Sequence, residues 1–92
     1  MHETRIVRDL VRRLERVARD GSAERVSGVV VWLGALSQFS PAHFREHFDD
    51  EARGTIVEGA ALKIEMSQDI GHPSAQDVMM QSVDLDIPDG SA

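Results

Sequence analysis

Cysteine is absent from this 92-residue chain, and that absence excludes disulfides, thiolate metal sites and thiol catalysis together. Lysine is nearly absent: Lys63 stands alone beside nine arginines, a bias that reads as GC-rich coding more than as function. Long apolar runs are missing too. No stretch reaches the roughly 18 apolar residues that a membrane-spanning helix needs. The N-terminal segment is too arginine-rich and too helically periodic for a signal peptide, so a cytoplasmic protein is expected. No Ser-His-Asp string, glycine-rich phosphate loop or paired-carboxylate site stands out, and nothing makes a good case for an enzyme.

What remains is 41% hydrophobic, enough for one modest core and therefore one domain, expected over residues 1–87 with a tail at 88–92. Charge is unevenly spread. Residues 1–25 carry seven arginines against five acids, whereas residues 46–92 carry eleven acids against Arg53 and Lys63, within a net charge of −6. Affinity for phosphate backbones needs clustered positive charge, so no nucleic-acid partner is expected. The acids interleaved among the first arginines mark a solvated helix surface.

Apolar residues Ile6, Val7, Leu10, Val11, Leu14, Val17 and Ala18 recur at helical spacing and predict an amphipathic helix over residues 4–19. Gly21 and Ser22 supply its stop. Residues 26–33, rich in Val and closing on Trp32 and Leu33, predict a largely buried strand, with Gly34 marking its end or a bulge. Ser40-Pro41 is a helix start, Ser as N-cap and Pro in the first turn. Phe44, Phe48 and Ala52 then form an i, i+4, i+8 stripe, and Gly54 closes the helix. Residues 61–66 alternate as a half-buried strand should, Gly71-His72-Pro73-Ser74 is a turn cluster, and residues 78–87 form a last strand. The order is α-β-α-β-β, an α+β domain with two helices packed on a small three-stranded mixed sheet. The second and third strands are expected to pair as an antiparallel hairpin around Gly71-His72-Pro73.

Four histidines hold most of the candidate chemistry. Met1-His2-Glu3 combines an α-amine, backbone nitrogens and an imidazole. If a helix starts there, its first N–H groups lack intrahelical partners, and several converging nitrogens suit square-planar Ni(II) or Cu(II). The competing reading is a frayed terminus without function. His43-Phe44-Arg45-Glu46-His47 fits the inverted zinc-peptidase string H-x-x-E-H, with both imidazoles on one helical face, one turn apart. Such an enzyme needs a third ligand on another helix, which so small a chain is not expected to supply. The simpler reading makes this face the solvent side of the helix. His72 reads as a solvated turn residue or an auxiliary ligand. The acids Asp49, Asp50 and Glu51 read as a solvated run or a contact for a cationic partner. Met79 and Met80 point to opposite faces of a strand, so at most one joins the core.

These blocks in order resemble the HypA/HybF family, the nickel-insertion accessory proteins of NiFe-hydrogenase maturation. The resemblance rests on Met1-His2-Glu3 opening a helix, on Gly34-Ala35-Leu36-Ser37 after the strand, and on Gly54-Thr55 with Glu58-Gly59-Ala60. It covers most of residues 1–66 and 77–87. It implies a Ni(II) site formed by the Met1 amine, backbone nitrogens of His2 and Glu3, and the His2 imidazole. It also implies a non-catalytic metallochaperone that works with a nickel-handling GTPase and docks on the hydrogenase large subunit; a homodimer is compatible with it. Amide nitrogens must deprotonate to bind, so affinity should fall at acid pH. The family carries a zinc module with two Cys-x-x-Cys pairs between its last two strands. Residues 67–76 hold no cysteine, so no zinc is expected, and a lost insertion whose flanking strands now pair directly is the expectation. The alternatives are a zinc-less interaction or scaffold subunit of hydrogenase assembly that no longer delivers metal, and a zinc enzyme built on His43, Glu46 and His47.

Overall fold

The computed structural model describes residues 2–88, His2 by its backbone alone. Helix α1 (His2–Asp20) starts two residues before the expected boundary. Its buried stripe is Val7, Leu10, Val11, Leu14 and Ala18, while Ile6 lies at the stripe's edge and is 41% exposed. The helix stops in a Schellman turn. Ala23 N donates to Ala18 O at 2.8 Å and Ser22 N to Arg19 O at 3.1 Å, which satisfies carbonyls left over at the helix end.

Strand β1 (Arg25–Leu33) is the middle of the sheet, with β2 (Ala61–Met66) on one edge and β3 (Val78–Asp86) on the other. β1 pairs with β2 in parallel, from Gly28–Ala61 to Leu33–Met66, and with β3 antiparallel, from Arg25–Asp86 to Leu33–Val78. The mixed sheet is as expected. The β2–β3 hairpin is not: the two strands flank β1 and do not pair. β1 carries the most continuous apolar run, with Val26, Val29, Val31 and Leu33 buried. Placing it between two partners satisfies the backbone groups along both of its edges; a β2–β3 hairpin would leave one edge open.

The β2–β3 connection therefore crosses the end of β1. Ser67 N donates to Leu33 O and Gly34 N to Asp77 O, each at 2.9 Å, and Leu36 N donates to Ala75 O at 2.7 Å. Gly34 is needed because a Cβ there would overlap the Ala75 carbonyl. The expected lost insertion thus does not join sheet neighbours.

Helix α2 (Pro41–Ala52) begins as its signals predict: His43 N donates to Ser40 Oγ at 3.1 Å, and Pro41 stands where no intrahelical N–H is required. Phe44, Phe48 and Ala52 are buried. They join the stripe of α1 and the sheet residues Val29, Val31, Leu33 and Leu62 in one core cluster. Truncating either Phe would cost about 3–5 kcal/mol. Met80 packs against that core, whereas Met79 is 37% exposed, so one methionine joins it and one does not.

Candidate metal centre

The topology decides which ends of the molecule meet. The turn after α1 reverses the chain into β1, and parallel β1–β2 pairing makes α2 run against both strands. The two helices therefore run in the same direction. Contacts between them keep this register: Glu3 meets α2 near His43, and five residues on, Arg8 Nε donates to Glu51 Oε1 at 3.0 Å. Glu51, first by its hydrogen bond and then by its charge, holds the Arg8 guanidinium above its ordinary value. Of the acidic run, Glu51 thus pairs with Arg8 and Asp50 with Arg53 at 3.3 Å.

The first turns of α1 and α2 share one end of the molecule, and three donor side chains converge there. The Nε2 atoms of His43 and His47 are 2.9 Å apart, and their rings are tilted with centroids 4.6 Å apart. The Glu3 carboxylate reaches across from α1, its Oε2 3.7 Å from His43 Nδ1. One donor atom from each of the three lies within 4.8 Å of the others. The Phe39 ring stands beside His43, with centroids 6.1 Å apart, so the trio rests on the core at one side. The His43 and Glu3 side chains keep 43% and 37% of their exposure. The site is open to ions and to partners.

The face of His43 and His47 is therefore not simply a solvent face, and a second helix does supply a carboxylate. That carboxylate is Glu3, not the Glu46 of the H-x-x-E-H string, which is exposed and outside the trio. Of the expected Met1-His2-Glu3 site, Met1 and the His2 side chain lie outside the described residues. The backbone of His2 opens α1, which puts the His2 and Glu3 N–H groups in a first turn where no intrahelical acceptor exists. His72 lies elsewhere. Its Nδ1 accepts from Ser74 N at 2.9 Å and its ring packs on Trp32, with centroids 4.9 Å apart; it braces the connection. The signal that could have joined Glu3 to the two imidazoles was topological: helices before and after a strand run parallel when that strand pairs in parallel with the next.

The sequence and the fold both resemble known proteins. The profile described as "Hydrogenase/urease nickel incorporation, metallochaperone, hypA" matches residues 1–72. The chain belongs to the HypA family. Hydrogenase maturation factor HypA of Dechloromonas aromatica (strain RCB) is 38% identical over 64 residues, which are 70% of this chain and 57% of that protein. Its counterpart in Aquifex aeolicus (strain VF5) is 37% identical over 68 residues, 74% of this chain and 59% of that one. The chain spans less than two thirds of the length of these HypA relatives. The solution structure of the Ni metallochaperone HypA from Helicobacter pylori matches the fold with a TM-score of 0.78 at 18% identity, covering 92% of this chain and 97% of that one. Two helices on a three-stranded mixed sheet are thus the HypA architecture. Among the described residues no helix is long and apolar enough to cross a membrane.

Proposed function

We propose that this chain is a nickel metallochaperone for maturation of a NiFe-hydrogenase, with Ni(II) as its cargo. Met1, His2 and Glu3 hold the ion through the Met1 amine, the backbone nitrogens of His2 and Glu3, and the His2 imidazole. The observation that carries this reading is that α1 opens at His2. Backbone nitrogens without intrahelical duties are free to lose their protons to a metal, and nitrogens in one plane suit Ni(II) or Cu(II) over a tetrahedral ion. Membership of a nickel-incorporation family supports the choice of nickel. The protein works in the cytoplasm, without zinc as a resident metal, and exchanges cargo with a nickel-handling GTPase or the hydrogenase large subunit.

Nickel titration of the protein with a free Met1 amine tests this, beside His2→Ala and a version acetylated on that amine. The readout is the diamagnetic absorption of square-planar Ni(II). Wild type should develop it and neither variant should. Equal signal in all three, or in none, overturns the terminal chelate and leaves the interaction-subunit reading in its place.

A further inference from the structure

The geometry points to a second metal position: we propose that Glu3, His43 and His47 bind Ni(II) through their side chains, next to the terminal chelate and separable from it. The site itself is independent of the reading above; only its use as a staging position for the same cargo rests on that reading.

Three facts support the site. The first is the convergence of two neutral nitrogen donors and one carboxylate from two different helices, with donor atoms within 4.8 Å of one another. Two histidines and one carboxylate, with the remaining positions open, form a recognised ligand set for a divalent transition metal. The second is the spacing of the rings. Donors about 2.0–2.1 Å from a common ion are roughly 2.9 Å apart when they subtend a right angle and roughly 3.4 Å apart when they subtend a tetrahedral one. The His43 and His47 Nε2 atoms are 2.9 Å apart, the right-angle value. The spacing places both rings within reach of one divalent ion. The third is the proton between them. At that distance one ring must donate to the other, and a divalent cation that takes both nitrogens displaces that shared proton, the rings turning to bring both lone pairs onto it. Glu3 completes the set with a carboxylate oxygen already within 4.8 Å of the imidazole donors, on a side chain that is 37% exposed.

Glu3 links the two positions. Its backbone nitrogen belongs to the terminal chelate and its carboxylate to the imidazole pair. An ion at the side-chain site needs no deprotonated amide, keeps open positions and faces solvent, so it suits capture and release. The terminal chelate suits retention. A nickel ion can pass between them over a single residue without opening the core.

The test uses four versions of the full chain: native, acetylated on the Met1 amine, His43→Ala/His47→Ala, and the acetylation combined with that double substitution. Ni(II) stoichiometry is measured by calorimetry, and spin state by paramagnetic broadening of NMR signals. The native protein should bind two ions. The acetylated protein should bind one paramagnetic ion, the double substitution one diamagnetic ion, and the combination none. Within the acetylated background, Glu3→Gln should weaken the remaining ion about tenfold. Circular dichroism of each version confirms that the helices persist. If the acetylated protein binds nickel equally with and without His43 and His47, or binds none, the side-chain site is refuted. If native and acetylated proteins instead bind equally, through His43 and His47 alone, the terminal chelate fails and this site stands.

Discussion

Ser22 occupies the one position of the α1–β1 turn that favours a residue without a Cβ. Its φ is 55°, in the left-handed region, where a side chain crowds the following carbonyl. The glycine stands one residue earlier, at Gly21, where a Cβ would come within 3.1 Å of Leu85 Cδ1. Glycine there answers a close approach to β3, not a dihedral demand. Ser22→Gly should therefore stabilise the protein by up to about 1 kcal/mol, relief of the left-handed strain outweighing the extra freedom of the unfolded chain. Urea unfolding measures it, and a lowered midpoint at constant slope would contradict the turn geometry. The same residue scale governs the candidate site. His43, His47 and Glu3 were visible as donors in the sequence. That the carboxylate partnering the imidazoles lies 40 residues away in the chain, rather than at Glu46, was not, because sequence spacing reports only neighbours on one helix.

Element by element, local signals carried far. The Ser40-Pro41 start, the Phe44–Phe48–Ala52 stripe and the 61–66 alternation reappear at the expected places, since capping, proline geometry and periodicity act within a turn or two. The cap has a measurable weight. Ser40→Ala should cost about 1 kcal/mol, whereas Ser40→Asn should cost only a few tenths. Equal losses from both would mean that the bond from His43 N to Ser40 Oγ contributes nothing. Because that bond also sets the first turn on which His43 stands, nickel binding by the acetylated protein should weaken with Ser40→Ala and recover with Ser40→Asn. Strand partnership was less legible. Residues 61–66 and 78–87 follow one another with a turn cluster between them, so adjacency along the chain favoured a hairpin, yet both strands found the edges of β1 instead.

For the whole molecule, that choice sets the length the connection must span. Two strand spacings separate β2 from β3, about 10 Å, where a hairpin turn bridges one. Replacing residues 67–77 with a two-residue Asn-Gly turn should therefore abolish cooperative unfolding. A Gly/Ser linker of the original length should keep the fold at lower stability, having lost the packing of His72 on Trp32 and the bond from Ser74 N to His72 Nδ1. A natively stable two-residue version would show that β2 and β3 are neighbours after all. The same topology brings the first turns of α1 and α2 to one end, and the metal proposals depend on that meeting.

The sequence by itself determined the elements, their order, the apolar stripes and the family-like blocks, because those follow from forces acting over a few residues. The tertiary structure alone decided that β1 lies in the middle, that α1 and α2 run in parallel, and that Glu3 stands against His43 and His47. These outcomes depend on satisfying both edges of the most apolar strand while burying both helix stripes on one core. That condition exists only when the whole chain is folded at once.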